Sequence, residues 1–260
     1  MKDVREEWFD AEKKVRVVFA DVTSAAQYLA NGHLCGPVAA HYLAKGLAAA
    51  ALLAAETESP EETVSVQMKC KGPLGGMNVE CTGEGGLRGY TEKKILDDFD
   101  GMGRPKDREV LGDRRIQVTR SLPGRIISQG ISTSIDGYLA GSLQRKAVMH
   151  LEAAVSDDLQ VLEARGVLVE EMPDVSETGV LGAELKSLAV SERNLLNKLG
   201  LAKAELKGSV PLRFACRCSQ DRAAATLAAL SADERASLPP TVSITCHMCG
   251  RTWEVKTGGS

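Results

Sequence analysis

Neither sign of charge dominates this chain of 260 residues: 32 Lys and Arg face 35 Asp and Glu, a formal net charge of −3. That balance weighs against a dedicated binder of nucleic acid or of an acidic membrane surface, because phosphate attraction needs clustered positive charge. Long hydrophobic runs are also missing. The best candidate, residues 47–55, falls far short of the roughly 20 apolar residues that cross a bilayer. The first ten residues mix both charges and hold no apolar core of a secretory signal. No internal repeat, low-complexity tract or phosphate-cradling Gly-x-x-x-x-Gly-Lys-Ser/Thr loop occurs, and spacing reveals no Ser/His/Asp grouping. Gly83-Glu84-Gly85-Gly86 lacks the strand-to-helix context of a dinucleotide site and reads as a turn. These absences point away from an enzyme, a membrane protein and a nucleic-acid binder.

What remains is ordinary globular composition, 43% hydrophobic and 26% charged, with length for one to two domains. Residues 1–173 read as an α+β domain. Residues 15–19 form a strand, and Asp21 and Thr23 offer capping oxygens to a helix through Tyr28. After Gly36-Pro37, the alanine-rich stretch 38–55 is a helix apolar on most sides, as burial against a sheet requires. Val64, Val66 and Met68 alternate with polar residues, Gly72 to Gly76 turn the chain, and residues 77–82 return as a hairpin. Residues 86–90, 116–120 and 125–129 are further strands, and helices resume over 134–155. Residues 174–210 read as a helical linker. Leu181, Leu185, Leu188, Leu195, Leu196 and Leu199 lie near helical spacing, broken at Ser191 and Glu192, and need a partner surface.

Residues 211–260 hold four of the seven cysteines. An odd cysteine count without a signal implies a reducing, cytoplasmic compartment, where grouped thiols mean metal or redox chemistry. Cys216-x-Cys218 and Cys246-x-x-Cys249 are separated by 27 residues. Each close pair can grip one tetrahedral ion, and the second pair closes the four-cysteine site that Zn²⁺ prefers, with sulfurs at about 2.3 Å. Residues 241–245 and 252–255 read as strands around a knuckle at 246–250. Ser219 caps a helix towards Leu230, and Ser231 with Glu234 spells a capping box. Four thiolates and one Zn²⁺ carry a formal −2, which Arg217, His247 and Arg251 can offset. His247 is also an alternative ligand, and a permanently structural zinc module is the plainer reading of the whole cluster.

Energetics gives metal loss its meaning. A structural zinc contributes on the order of 10–16 kcal/mol to a small module, whereas a whole domain is stable by about 5–15 kcal/mol. A piece this short cannot bury enough apolar surface to compensate. Demetallation should unfold it and free the leucine-rich stretch beside it. Cys35, Cys70 and Cys81 lie outside the cluster; Cys70 and Cys81 flank the hairpin and are placed to face each other, though buried cysteine usually serves as a small hydrophobe. His33, His41 and His150 read as structural or solvated.

These residues resemble the heat shock protein 33 family of zinc-dependent, redox-regulated chaperones. The likeness rests on Cys216-x-Cys218-Ser219-x-x-Arg222, Leu227, Leu230 and Cys246-x-x-Cys249, and on looser matches at Val15-Arg16, His33, Gly36-Pro37, Gly72-Pro73-Leu74-Gly75, Leu87-Arg88-Gly89-Tyr90 and residues 164–169 before Pro173. It implies an ATP-independent holdase, reduced, zinc-bound and inactive, then oxidised, zinc-free and able to bind unfolding clients under oxidative stress. It further implies one zinc on Cys216, Cys218, Cys246 and Cys249, disulfides Cys216–Cys218 and Cys246–Cys249 on oxidation, unfolding of the linker, and a homodimeric active form. Leu143, Arg165 and Lys71 depart from the family pattern, standing where it usually has an acidic residue, a glycine and an acidic residue. The alternative from another class is a zinc-ribbon protein of nucleic-acid or transcription complexes, which requires a basic face around the cysteines.

Overall fold

Val4–Asp10 (β1) and Val15–Asp21 (β2) open the chain as an antiparallel hairpin. The computed structural model describes residues 3–101, 105–173, 190 and 194–257. Strand β1 is hidden in the sequence because Arg5, Glu6 and Glu7 interrupt its alternation. Arg5 is buried, its guanidinium donating to the Ala51 carbonyl at 3.2 Å. Helix α1 (Thr23–His33) runs a turn beyond its expected end. Asp21 bonds the Thr23 amide and hydroxyl, while the Asp3 carboxylate accepts the Ser24 and Ala25 amides at 2.9 and 2.7 Å. A residue outside the helix thus satisfies its first free N–H groups.

Helix α2 (Pro37–Leu53), with a short 3-10 turn at Ala54–Glu56, is the centre of the fold. Proline in the first turn costs no hydrogen bond there, and small alanines let strands approach on several sides. The stretch Pro37–Glu56 is longer than the apolar run at 47–55 and would suffice to cross a membrane, yet 83% of its apolar window is buried inside the protein. It is a core helix.

Two sheets enclose it. The first combines Thr63–Cys70 (β3), Gly76–Thr82 (β4) and Gly86–Thr91 (β5) with, after short helices Asp97–Asp100 (α3) and Asp107–Leu111 (α4), Arg114–Leu122 (β6) and Arg125–Ser132 (β7). The second uses β1, β2, Lys146–Val155 (β8) and Val161–Glu171 (β9), the last two reached through Ile135–Gly141 (α5). Gly166 of β9 is required by close approach: a Cβ there would lie 2.8 Å from side-chain carbons of both Leu52 and Leu151.

The expectation of helix over 134–155 holds only for α5. Residues 146–155 contain good helix formers, but β9 offers an open ladder, and pairing along its length overrides local propensity. The linker expectation needs a similar correction. After Leu195–Lys198 (α6), residues Glu205–Pro211 form a strand (β10) that pairs with the free edge of β1. Leu181, Leu185, Leu188, Ser191 and Glu192 lie outside the described residues. Leu195, Leu199 and Leu201, with Val190, cover Val15, Val17, Val167 and Val169 on the face of the second sheet opposite α2.

The chain then adds Arg213–Phe214 (β11) parallel to β5, completing the orders β10-β1-β2-β9-β8 and β11-β5-β4-β3-β6-β7. The C-terminal unit consists of Gln220–Ala228 (α7), Ala232–Ala236 (α8) and the hairpin Thr241–Thr245 (β12) and Thr252–Lys256 (β13). Ser219 caps α7 and the Ser231–Glu234 capping box is present, both as expected.

Cys70 and Cys81 do not face each other. The β3–β4 register places Cys81 opposite Val64, at the far end of the hairpin from Cys70. Of the departures from the family pattern, Arg165 pairs with Asp21 at 2.8 Å, exposed Lys71 with Asp113 at 3.3 Å, and Leu143 packs half-buried on the core.

Candidate metal centre

The two cysteine arms arrive from different elements. Cys216 and Cys218 follow β11, whose backbone is fixed by the Ala215 amide donating to Leu87 O at 2.9 Å. Cys246 directly follows β12, and its carbonyl accepts the amides of Cys249 and Gly250 at 3.3 and 2.9 Å, forming the expected knuckle. Gly250 holds φ at +72°, and a Cβ there would meet the Gly32 carbonyl oxygen at 2.0 Å. Only glycine suits that turn and that contact.

All four Sγ atoms lie within 4.8 Å of one another. Cys216 and Cys246 sulfurs are 3.8 Å apart, Cys218 and Cys249 sulfurs 3.5 Å. Metal–sulfur bonds of about 2.3 Å in a tetrahedron give edges of about 3.8 Å, so the cradle matches the dimensions of a four-cysteine zinc site. His247 is not part of this group; its ring packs edge-on against Tyr90, centroids 4.2 Å apart. Among the described residues no other cluster of three or more such ligands occurs.

The sulfurs do not ionise alike. Burial raises the Cys216 thiol, but hydrogen bonds from the Cys218 backbone and from the neighbouring thiols outweigh it and bring Cys216 down to about 7. Burial pushes Cys218 and Cys249 up. When bound, Zn²⁺ would supply the positive charge that keeps all four as thiolates.

Of the cations expected to offset that charge, Arg251 donates to the Tyr28 hydroxyl at 3.1 Å and also feels Cys218 and Cys249. Arg217 turns to the Thr63 hydroxyl at 3.3 Å. Arg88, which sequence reasoning missed as a partner, interacts with Cys216 from strand β5. Its only signal was the alternation within Leu87-Arg88-Gly89-Tyr90.

The centre is docked on the rest of the protein. The Gly89 amide donates to Met248 O at 3.0 Å, and buried His33 Nε2 donates to Gly89 O at 2.9 Å. Burial and nearby Lys94 hold His33 below the usual histidine range. Tyr28 stacks on Phe214, centroids 4.2 Å apart. The cysteines therefore belong to the edge of the large core, with Cys249 buried in it. The C-terminal unit's own core contains three buried residues, Ala223, Leu227 and Val255.

An α+β body with a cradle of four thiols that could hold a metal ion, docked at one sheet edge, defines the class. More particularly, the family model described as Hsp33 protein matches residues 7–256, and the chain belongs to that family. It is 29% identical to a 33 kDa chaperonin of Thermus thermophilus, over 92% of this chain and 80% of that protein. It is 27% identical to a 33 kDa chaperonin of a Cyanothece species, over 95% and 91%. The crystal structure of a 33 kDa chaperonin from Thermotoga maritima superposes with a TM-score of 0.86 at 17% identity, covering 99% of this chain and 96% of that one, and shows the same fold. Family and relatives together support a chaperone role.

Proposed function

We propose that this protein is an ATP-independent holdase switched by thiol oxidation, with Cys216, Cys218, Cys246 and Cys249 as ligands of one zinc in the resting, reduced state. The observation that carries the reading is a mismatch of scale. Four thiols converge on one cradle, while the unit they hold together has three buried core residues of its own. The state of the sulfurs therefore decides whether that unit stays folded.

On oxidation, two thiolates release two electrons to one peroxide, which leaves as water once protons are supplied, and a sulfur–sulfur bond forms. A second peroxide consumes the other pair. We assign the bonds as Cys216–Cys218 and Cys246–Cys249 from the family resemblance; sulfurs paired in this way no longer form a four-ligand set. With the cradle lost, the strand pairing of β10 and β11 loses its anchor. Val190, Leu195, Leu199 and Leu201 then no longer cover Val15, Val17, Val167 and Val169, joined on that face by Trp8, Phe19 and Val148. An apolar sheet face of this kind suits unfolding clients. A cytoplasmic setting and dimerisation of the oxidised form belong to the same proposal. The zinc-ribbon alternative gains no support, since Arg213 pairs with Glu84 and Arg217 and Arg251 bond within the protein.

Zinc release and free thiols measured together during a peroxide titration test the reading, alongside suppression of client aggregation. The expected result is one zinc and four thiols lost together, with protection from the oxidised form only. Equal protection by both forms, or retained zinc with oxidation of Cys35, Cys70 or Cys81, would overturn it.

A further inference from the structure

Away from the cysteines, helix α2 and the first sheet leave a slot between them. Tyr42, Lys45, Gly46 and Ala49 line it from one face of the helix, as their three- and four-residue spacing requires. Opposite lies Met68, with its ladder partners Met77 on β4 and Ile116 on β6, side by side across three strands. Leu111 of α4, Ile135 of α5 and Leu151 of β8 close the space, which measures about 150 Å³. Gly46 makes room for one wall, since a Cβ there would lie 2.7 Å from Met77 Sδ. The charged lining residues are half-buried Lys45 and Arg114 and exposed Asp107, and they mark the mouth. Asp107 is engaged, accepting the Tyr42 hydroxyl at 2.8 Å. Ser134 is engaged too, as the cap of α5. Arg114 uses its Nε on Thr133 O at 3.3 Å, and Lys45 has no hydrogen bond or ion pair among the described residues.

We propose that the slot is a binding site for a small amphipathic carboxylate. Its apolar body, about the size of one phenyl ring, lies against Met68, Met77 and Ile116, and its carboxylate meets Lys45 and Arg114 at the mouth. The inference rests on neither the metal reading nor the chaperone reading. Size sets the body: a dry apolar cavity of about 150 Å³ takes up benzene. The walls suit a ring, because methionine sulfur makes favourable contacts with aromatic edges and its unbranched chain adjusts to a guest. Charge sets the head group. Two cations stand against one carboxylate that is already bonded, so the mouth carries a surplus positive charge. The remaining edge of the Arg114 guanidinium offers a planar fork and Lys45 a point charge, both suited to a carboxylate. A cationic ligand would be repelled by that surplus, and a neutral one would gain nothing from it.

The test is an NMR titration with phenylacetate of the full, reduced chain, isotope-labelled at its methionine methyl groups. Met68→Leu and Met77→Leu assign the two signals that matter. A ligand this small binds with a dissociation constant on the order of 1 mM. The Met68 and Met77 methyl signals should move together, while that of Met248, in the knuckle, stays in place. Phenylacetamide, of the same shape but uncharged, should bind about three- to tenfold more weakly, and Lys45→Gln should remove most of that preference. Ala49→Leu, which fills the slot from the helix side, should abolish the shifts. Near-UV circular dichroism checks that each variant folds, and Lys45→Gln, a change at the mouth, keeps the test decisive if Ala49→Leu does not. Unmoved Met68 and Met77 signals in excess phenylacetate would overturn the proposal. So would equal affinity for phenylacetate and phenylacetamide, or signals that move with protein concentration alone, which would give the slot to a second copy of the chain.

Discussion

Glu62 is a carboxylate with 2% of its surface exposed, bonded by Arg120 Nε at 2.6 Å and by the Glu58 amide at 3.0 Å. Burial alone would raise its pKa, but Arg120 and the amide outweigh burial and hold it below the ordinary carboxylate value. The charged form is therefore favoured by folding. Its contribution is complete above the unfolded-state pKa and is lost as pH falls through the depressed folded-state value. Glu62→Gln should flatten the decline of the urea midpoint between about pH 5 and pH 3, and parallel declines for parent and variant would contradict this assignment. Arg120→Met should cost about 3 kcal/mol at pH 7, because it strands a buried charge. The four cysteines were readable at this scale because a metal set is defined by short, fixed spacings within each arm. Arg88 and Asp3 were not. Their partners, Cys216 and the start of α1, lie far along the chain, and a single charged residue carries no periodicity that points to them.

At the scale of elements, the hairpin β3–β4, the buried helix α2, the capped helices α7 and α8 and the strands around the knuckle were all legible, since each obeys a local rule. The elements that were not legible are those made by a neighbour's open edge. Strand β8 forms because β9 is there to pair with it, and β10 because β1 presents an unpaired ladder. Docking of the knuckle follows the same logic, resting on the fit of Gly250 against Gly32. Gly250→Ala combines a left-handed backbone strain of about 1 kcal/mol with a backbone clash that must be relieved by separation. We expect faster amide exchange at the Gly89 N–H, bonded to Met248 in the parent, and a lower thermal midpoint, while β3 and β4 keep their protection. Unchanged exchange at Gly89 would show that the knuckle docks by other contacts.

For the molecule as a whole, stability is distributed unevenly, and the proposed function depends on that unevenness. The large core around α2 extends across both sheets, whereas residues 213–257 rely on the sulfur cradle and a small core of Ala223, Leu227 and Val255 with their partly buried neighbours. A structural zinc worth on the order of 10–16 kcal/mol exceeds anything so small a core provides. Removing it should leave the body folded and the cover over Val15, Val17, Val167 and Val169 detached. The most direct measurement is amide hydrogen exchange on the full chain, comparing the reduced, zinc-loaded form with the same protein stripped of metal by a chelator under reducing conditions. The account predicts collapse of protection across residues 205–257 and rising exchange along β2 and β9, with α2 unchanged. Identical protection in the two samples throughout residues 205–257 would contradict it.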